Sequence, residues 1–277
     1  MSLRRFEGRT AWVSGGVTGM GRAIALALAR EGADVAVGSL TQGSSLPEAA
    51  YTTLPPPADV EATAAAIRNE GVSVYAAHLD LRDDTCVDKF HKDAVSTLKP
   101  FDILINAAGV SAQELLIDHK DETWAQVIDI NLTGCYRTIK RCWPSMLERR
   151  FGRIINIAST AADVGYPRYS AYCASKAGLL GLTRCVALEG AQHGISCNAI
   201  NPGSVGTGMM RLGSQRRISQ GSQGMTVEEN FQLVAQGMPQ KRLITTEEIA
   251  ATAVFLCSDE AFGITGQAVA VSGGALW

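Results

Sequence analysis

The chain has 277 residues, of which 46% are hydrophobic and 19% charged, and its formal net charge is -2. This composition is ordinary for a globular protein with a sizeable core, and the near-neutral charge gives no sign of binding to nucleic acid or an anionic membrane. No apolar run is long enough to span a bilayer, and no signal region precedes the first predicted strand, so we expect a cytoplasmic protein.

The cysteines and histidines show no spacing typical of a metal site. No Cys-x-x-Cys pair occurs among Cys86, Cys135, Cys142, Cys173, Cys185, Cys197 and Cys257. Most of them lie in apolar runs, where cysteine behaves as a small hydrophobe. The histidines are His78, His91, His119 and His193. We therefore expect reduced cysteines and no bound metal.

The N-terminal stretch predicts a strand, a glycine-rich turn and a helix. Residues 9–14 form a short apolar run, and residues 22–29 form an alanine-rich helix. Between them lies Ser14-Gly15-Gly16-Val17-Thr18-Gly19-Met20-Gly21. Glycines let the backbone approach a pyrophosphate, and the following helix offers free N–H groups and its positive dipole end. This context predicts a dinucleotide site with Gly-x-x-x-Gly-x-Gly spacing.

The second predicted strand, over residues 32–37, is followed by an unusual segment. Dinucleotide-binding folds contact the adenosine ribose just after this strand. An acidic residue there favours NAD, and a basic residue favours a cofactor with a 2′-phosphate. Here Gly38, Ser39, Leu40 and Thr41 give neither signal. Residues 42–57 are rich in Ser, Pro, Thr and Gly and predict a loop. We favour a solvent-exposed surface loop, and the alternative is a loop folded over the adenosine end of a cofactor.

Further strands and helices alternate to the C-terminus. Strands are predicted at 74–79, 101–105, 153–158, 195–200 and 268–272, and helices near 60–67, 87–98, 124–146, 172–180 and 247–256, with Pro144 kinking the 124–146 helix. Unbroken apolar strands that alternate with helices predict an α/β fold, a doubly wound parallel sheet of about seven strands with helices on both faces. No internal repeat or linker divides residues 1–277, so we expect one domain.

Tyr172 and Lys176 are candidate catalytic residues because they lie four positions apart in a predicted helix. Residues at i and i+4 share one face, which brings a phenol and an ammonium together. A nearby ammonium favours the phenolate, so we expect the pKa of Tyr172 to fall below ~10. Such a tyrosine is suited to general acid–base catalysis.

The other candidate residues follow the predicted strands, where ligands bind in open α/β sheets. With them the chain resembles the short-chain dehydrogenase/reductase family over nearly its whole length. The matching elements, in family order, are Ser14-Gly15-x-x-x-Gly19-x-Gly21, Asn106-Ala107-Ala108-Gly109, Asn131, Ser159, Tyr172-x-x-x-Lys176 and Pro202-Gly203-x-x-x-Thr207. The chain departs from the family in having Ser14 for the usual Thr, no acid after the second strand, and a longer 42–57 segment.

The resemblance implies a role for each matching residue. Tyr172 would exchange a proton with the substrate oxygen, Lys176 would lower its pKa and hold the nicotinamide ribose, and Ser159 would hydrogen-bond the substrate oxygen. Asn131 would hold a water that links Lys176 to solvent, unless it only bonds inside a helix kink. The implied cofactor contacts are Gly15, Val17, Thr18, Gly19, Met20, Gly21, Ser39, Leu40, Asp80 (to adenine), Leu81, Asn106, Ala107, Ala108, Gly109, Tyr172, Lys176, Pro202, Gly203, Val205 and Thr207 (to the carboxamide).

Three functions remain open at this stage. The resemblance favours an NAD(P)-dependent oxidoreductase that acts on a secondary alcohol or ketone, and a 3-oxoacyl-thioester reductase shares every motif. A non-catalytic nicotinamide-binding regulator would not need Ser159, Tyr172 and Lys176 together. Because no obvious cation is left for a 2′-phosphate, with Arg22 expected on the pyrophosphate side, NAD(H) is slightly favoured over NADP(H).

Substrate binding and assembly are also suggested by relatives of the family. The segment 208–238 is expected to cover the substrate, with an apolar pocket from Met209, Met210, Leu212, Met225 and Phe231. Arg211, Arg216 and Arg217 could meet an anion, but exposed arginines on a mobile lid are favoured. Relatives pair through the long helices that begin near Trp124 and Tyr172, so a homotetramer is expected, with residues 273–277 near a subunit contact.

Overall fold

A seven-stranded parallel sheet forms the centre of the computed structural model, which describes residues 4–219, 221 and 224–275. Within these residues the strands are β1 Thr10–Ser14, β2 Asp34–Ser39, β3 Ala50–Tyr51, β4 Val74–His78, β5 Ile103–Asn106, β6 Ser111–Ala112, β7 Gly152–Ile157, β8 Ile195–Pro202 and β9 Ala268–Val271. The sheet order is β4-β2-β1-β5-β7-β8-β9, and each neighbouring pair is parallel. The predicted sheet is confirmed.

Helices cover both faces of this sheet, as predicted. They are α1 Gly19–Arg30, α2 Pro57–Arg68, α3 Asp84–Thr97, α4 Asp121–Ile128, α5 Gly134–Arg149, α6 Ser170–Gly190, α7 Gly208–Ser219, α8 Val227–Gly237 and α9 Thr246–Cys257. In the described part of the chain, none of them combines the length and the apolar character needed to cross a bilayer.

The alternation of side chains along the strands separates the core into two layers. Val13 of β1 packs with Ile24 of α1 and Ile249 of α9 on one face. Trp12, its neighbour in β1, packs with Phe90 of α3 on the other face, where α5 and α6 also contribute. Successive side chains of a strand point to opposite faces, so each strand feeds both layers. The strands are therefore apolar throughout, which is typical of a parallel sheet buried on both faces.

Buried asparagines join the central strands to the helices. Asn106, at the end of β5, donates to Asn156 Oδ1 of β7 at 2.8 Å and accepts from Thr138 of α5 at 2.6 Å. Asn156 in turn donates to Thr183 of α6 at 2.9 Å. Buried amides carry a high cost unless they are paired, so this chain of bonds fixes the helices against the sheet.

The helix expected over 124–146 is interrupted, although not at Pro144. A π-helical turn, Asp129–Thr133, separates α4 from α5, and Asn131 lies at its centre. The helical backbone of α5 continues through Pro144, and the kink expected at this proline stays a prediction. An i→i+5 turn leaves backbone groups and side chains displaced from the regular ladder, and such turns often occur at functional sites.

The 42–57 segment is not the solvent-exposed surface loop that we favoured. Its β3 pairs antiparallel with β6, and Ala50 and Tyr51 are only 5% and 7% exposed. The pairing partner lies more than 50 residues further along the chain, and a two-residue strand leaves no periodic pattern, so no local pattern predicts this pairing. The segment therefore lies at the carboxyl ends of β1, β2 and β5.

Candidate active site

A cleft of about 980 Å³, including its open mouth, lies at the carboxyl ends of β1, β2 and β5. The topology of the sheet brings these strand ends together, because β1 lies between β2 and β5. Its walls come from the glycine turn, the strand ends, the 42–57 segment and the start of α7: Gly15, Thr18, Gly19, Met20, Gly21, Ser39, Leu40, Thr52, Thr53, Leu54, Leu79, Asp80, Leu81, Ala107, Ala108, Gly109, Val110, Ile130, Thr207, Gly208 and Met209.

Close backbone contacts explain the glycines of the turn. Gly15 has a φ of +71°, and a Cβ there would lie 2.6 Å from the backbone of Ala108. A Cβ at Gly21 would lie 2.2 Å from the carbonyl oxygen of Gly15. The first turn of α1 contains no acidic residue, and its N-cap residue Thr18 makes no side-chain capping bond. The unpaired N–H groups of this turn fit a pyrophosphate, which is the group that the sequence predicted here.

The cleft carries little charge. None of its described lining residues is Lys or Arg, and the one acid, Asp80, is bound by Arg82 at 2.7 Å. Burial opposes ionisation of Asp80, but the hydrogen bonds from Arg82 hold the pKa of its carboxyl below the ordinary value. Both carboxylate oxygens of Asp80 already accept from Arg82. Any contact from Asp80 to an adenine must therefore use the remaining lone pairs.

The ribose end of the cleft is closed by uncharged groups. Ser39 is 6% exposed, and its Oγ accepts from the N–H of Val17 at 3.2 Å. Val17 thus supports the turn from behind and does not line the cleft. Arg22 was expected on the pyrophosphate side, but its Nε donates to Thr63 of α2 at 3.3 Å. Arg22 is the fourth residue of α1 and is not among the described residues that line the cleft, so that expectation was wrong.

A second cavity, of about 780 Å³ including its open mouth, adjoins the cleft and shares Met20, Thr207 and Met209 with it. Its wall contains Tyr51, Ser111, Ala158, Ser159, Tyr169, Tyr172, Pro202, Gly203, Ser204, Val205, Met210, Gly213 and Arg217. Of the five apolar residues that the sequence placed here, Met209 and Met210 line the wall, whereas Leu212, Met225 and Phe231 do not. The polar stretch around them folds into α7 and α8.

Ser159, Tyr172 and Lys176 are brought together between the end of β7 and the first turns of α6. The hydroxyls of Ser159 and Tyr172 are hydrogen-bonded to each other. The Lys176 ammonium donates to the carbonyl oxygen of Ile157 at 2.8 Å and lies 5.8 Å from the centre of the Tyr172 ring. The i, i+4 spacing therefore places both groups on the side of α6 that faces the end of β7, as the helical pattern predicted.

The expected fall in the pKa of Tyr172 is wrong for the chain alone. Burial raises the pKa of Tyr172 above its ordinary value, and the hydrogen bond with Ser159 offsets only part of this. Burial also lowers the pKa of the Lys176 ammonium to about 8. The ammonium points its hydrogen bond at Ile157 rather than at the phenol, so desolvation outweighs its attraction for a phenolate.

Asn131 is completely buried and connects the loop after β5 to α6. Its Oδ1 accepts from the N–H of Val110 at 2.9 Å, and its Nδ2 donates to the carbonyl of Val110 and to Ser175 Oγ. Both amide protons are used, so a further partner could reach only the second lone pair of Oδ1 or the backbone carbonyl. A Cβ at Gly109 would lie 3.3 Å from Asn131 Oδ1 and 3.5 Å from Lys176 Nζ.

Tyrosines that the sequence analysis did not select surround Tyr172. The Tyr169 ring lies 6.4 Å from that of Tyr172, and Gln113 donates to the Tyr169 hydroxyl. The hydroxyl of Tyr51 is hydrogen-bonded to Ser111 and to Tyr169, and burial raises the pKa of Tyr51 strongly. Tyr169 could have been found from its i, i+3 spacing to Tyr172, whereas Tyr51 could not, because it arrives through the 42–57 segment.

Comparison with known proteins agrees with this geometry. The family model described as "Enoyl-(Acyl carrier protein) reductase" matches residues 15–275. The chain is 36% identical over 266 residues to the 3-oxoacyl-[acyl-carrier-protein] reductase FabG of Staphylococcus aureus, covering 96% of this chain and 97% of that protein. This chain belongs to the short-chain dehydrogenase/reductase family. The uncharacterized oxidoreductase YxjF of Bacillus subtilis is 37% identical over 273 residues and has the same coverage.

Solved structures show how closely the fold of this short-chain dehydrogenase/reductase follows its relatives. Carveol dehydrogenase from Mycobacterium avium, in complex with NAD, superposes with a TM-score of 0.91 at 30% identity, covering 98% of this chain and 99% of that chain. A variant of actinorhodin polyketide ketoreductase with NADPH gives 0.87 at 30% identity, covering 100% and 99%. The family of this chain and its curated relatives make it an oxidoreductase, and these two neighbours were solved with nicotinamide cofactors.

The predicted site residues are grouped by the cavity whose wall they line, and Met20 and Thr207 line both cavities. Those that line the glycine cleft are Gly15, Thr18, Gly19, Met20, Gly21, Ser39, Leu40, Asp80, Leu81, Ala107, Ala108, Gly109 and Thr207. Those in the second cavity are Met20, Ser159, Tyr172, Pro202, Gly203, Val205 and Thr207. Val17, Asn106, Asn131 and Lys176 line neither. Asn106 is instead a member of the buried asparagine chain, and Lys176 and Asn131 lie behind the walls.

The raised pKa of Tyr172 predicts a measurable titration. The ultraviolet difference between the folded, cofactor-free wild type and Tyr172→Phe should show the tyrosinate step only above pH ~10, because burial disfavours the phenolate. The same pair in denaturant should show it near pH 10. A tyrosinate titration step near neutral pH in the folded protein would show that burial does not disfavour the phenolate of Tyr172.

Proposed function

We propose that this enzyme transfers a hydride between NAD(H) and a secondary alcohol or ketone. The observation that supports this most directly is the hydrogen-bonded pair of Ser159 and Tyr172 in the wall of a cavity that opens onto the glycine cleft. A carbonyl oxygen placed against these two hydroxyls would receive two hydrogen bonds while its carbon faces the cleft.

Each catalytic side chain has a separate task in this proposal. The bound nicotinamide supplies or accepts the hydride. Tyr172 donates a proton to the carbonyl oxygen in reduction and accepts it in oxidation, and Ser159 stabilises the charge that develops on that oxygen. Lys176 would hold the nicotinamide ribose of the bound cofactor, and its positive charge would stabilise the phenolate that remains on Tyr172 after its proton is donated.

A 3-oxoacyl-thioester reductase is the second candidate. It is supported by the curated relatives, several of which are named 3-oxoacyl-[acyl-carrier-protein] reductase. The same hydroxyl pair would act on the 3-oxo group, so the site geometry does not separate the two candidates. A non-catalytic regulator is disfavoured, because Ser159, Tyr172 and Lys176 are assembled at a cavity and a regulator needs none of them.

A substrate panel separates these functions. Purified full-length enzyme is given NADH and one of three substrates: a simple secondary ketone, acetoacetyl-coenzyme A, or acetoacetyl-N-acetylcysteamine, and the loss of NADH absorbance is followed. Efficient turnover of the ketone supports the leading proposal, and turnover confined to the thioesters supports the second. Binding of NADH without turnover of any substrate or of the corresponding alcohols would favour the regulator.

Replacement of Tyr172 by Phe tests the proposed proton donor. The change removes the hydroxyl and keeps the ring, so folding and NADH binding should survive. We expect kcat to fall by a factor on the order of 10² or more, the usual scale for loss of a general acid. Tyr136→Phe is the matched control, since the Tyr136 ring is half exposed on α5, and it should leave kcat unchanged. Retention of most activity in Tyr172→Phe would refute the assignment.

The preference for NAD(H) is argued from the charges of the cleft. A 2′-phosphate carries up to two negative charges and needs a cation or several donors. No Lys or Arg is among the described residues that line the cleft, and Arg82 is held by Asp80, Ser45 and Gln126. Ser39 and Leu40 neither repel the phosphate nor bind it. We therefore propose NAD(H) with modest discrimination.

Ser39→Asp should sharpen the preference for NAD(H). A carboxylate at position 39 can accept from both ribose hydroxyls and repels a 2′-phosphate. We expect the ratio of kcat/KM for NADH to that for NADPH to rise about tenfold or more in steady-state kinetics. Ser39→Asn, which has nearly the same shape without the charge, should change the ratio much less. A wild type that clearly prefers NADPH would show that the cofactor proposal is wrong.

Exposed apolar side chains on the long helices support the proposed homotetramer. Trp124 of α4 is 41% exposed, Tyr136 of α5 is 47% exposed, and Leu188 of α6 is 80% exposed. Large apolar groups grouped on neighbouring helices are typical of surfaces that pair with another chain. Gly273 and Gly274 pack near Gln240 and Pro239, and Leu276 and Trp277 lie outside the described residues.

Sedimentation velocity at micromolar concentration tests the assembly. We expect the wild type to sediment as a tetramer of 29.3 kDa chains. Leu188→Glu places a charge where an apolar contact is proposed and should shift the species toward dimer or monomer. Leu233→Glu is the control, because Leu233 is 60% exposed on α8, away from the long helices, and should leave the tetramer intact. A monomeric wild type would contradict the proposal.

A further inference from the structure

The three arginines of α7 have different surroundings. Arg211 forms an ion pair with Glu228 of α8 at 2.8 Å, and its guanidinium lies 5.5 Å from the Phe231 ring. Arg216 donates to the backbone carbonyl oxygens of Glu48, Ala49 and Ala50. Both side chains therefore have structural partners. Arg217 instead contributes to the wall of the second cavity, together with Ser159 and Tyr172.

The charge of Arg217 is not balanced by an acid of the cavity. Its one described hydrogen bond, to Asn230 Oδ1, is long at 3.4 Å and leaves four of its five donors for other partners. No ion pair of Arg217 occurs within the described residues, and none of the described residues that line the cavity is Asp or Glu. This guanidinium is exposed to solvent at the cavity wall and is available to bind an anion that enters the cavity.

We propose that Arg217 binds a carboxylate of the substrate, so that this enzyme prefers a ketone or secondary alcohol that carries a carboxylate group. The inference rests on the proposed function, since it names the substrate class of that same site. Arg217 acts here as a specificity-determining residue: it touches the substrate away from the reacting carbon and takes no part in proton or hydride transfer.

Arg217 and Tyr172 lie on the wall of the same cavity, which has a volume of about 780 Å³ including its open mouth. Met209 and Met210 line the same wall and offer apolar contact to the carbons between the carbonyl and the anion. A short aliphatic oxo acid combines the three kinds of group that this wall can contact.

A binding experiment tests the anion site without turnover. Hexanoate and hexanamide have the same chain length and differ in charge, and neither has a ketone. Their affinities for the full-length protein are measured by ligand-observed NMR titration. We expect hexanoate to bind about tenfold tighter than hexanamide, as one charge-assisted contact in a partly open cavity allows. Arg217→Gln should abolish this difference, and Arg217→Lys should restore much of it.

Arg211→Gln is the matched control, because the same substitution on the same helix removes a cation that faces α8. It should leave the difference between hexanoate and hexanamide unchanged. Equal binding of the two probes to the wild type, or a preference for hexanoate that survives Arg217→Gln, would overturn the proposal.

Kinetics then separate this inference from the proposed function. With 4-oxopentanoate and its methyl ester as substrates, Arg217→Gln should raise KM for the acid about tenfold, leaving kcat and the ester constants nearly unchanged. Equal kcat/KM of the wild type for acid and ester would refute the carboxylate preference and leave the ketone reductase intact. If neither compound is reduced, the proposed function fails, and the hexanoate titration alone decides the anion site. A loss on Arg217→Gln that is confined to coenzyme A thioesters, relative to N-acetylcysteamine thioesters, would assign the anion to the carrier and overturn the proposal.

Discussion

The hydrogen bond from the Lys176 ammonium to the carbonyl of Ile157 is the interaction on which the geometry of the active site depends. Lys176 is only 4% exposed, and burial of its charge is costly enough to lower its pKa to about 8. The cost is tolerated because the carbonyl at the end of β7 meets the ammonium at 2.8 Å. Two residues further along the chain, Ser159 bonds to Tyr172, one helical turn before Lys176. Two contacts therefore join the end of one strand to one face of α6, and they fix the direction of the phenol hydroxyl toward the second cavity.

Asn131 supplies a third connection at the same place. It bonds both backbone groups of Val110 and the hydroxyl of Ser175, which lies between Tyr172 and Lys176 in the sequence of α6. The π-helical turn displaces Asn131 from the regular helical ladder, so its amide can reach across to α6 and to the loop after β5. Gly109 passes so close to these residues that a side chain there would crowd Asn131 and contact Lys176. The loop that forms the floor of the cofactor cleft is thus held by the residues that set the catalytic geometry.

The sequence predicts the parts of the site that depend on residues close together in the chain. The glycine turn, the alternation of strand and helix, and the i, i+4 pair of Tyr172 and Lys176 each follow from spacing along the chain, and the sheet then brings them to one edge. The parts that depend on distant contacts could not be read in this way. Tyr51 reaches the second cavity through the pairing of β3 with β6, and the sign of the Tyr172 pKa shift depends on burial that a sequence does not display. The predicted position of Arg22 was wrong for the same reason, because its hydrogen-bond partner Thr63 belongs to another helix.

The 42–57 segment links the two cavities through α7. Thr52, Thr53 and Leu54 line the cofactor cleft, whereas Tyr51 lines the second cavity. Arg216 of α7 binds three successive carbonyls of this segment, and its guanidinium lies 5.0 Å from the centre of the Tyr51 ring. The fit between the two elements is tight, since a Cβ at Gly213 would lie 2.9 Å from the Tyr51 hydroxyl oxygen and one at Gly208 would lie 2.4 Å from Thr53 Oγ1. Because these contacts are shared, α7 and the 42–57 segment form one continuous wall, and each of the two elements lines both cavities.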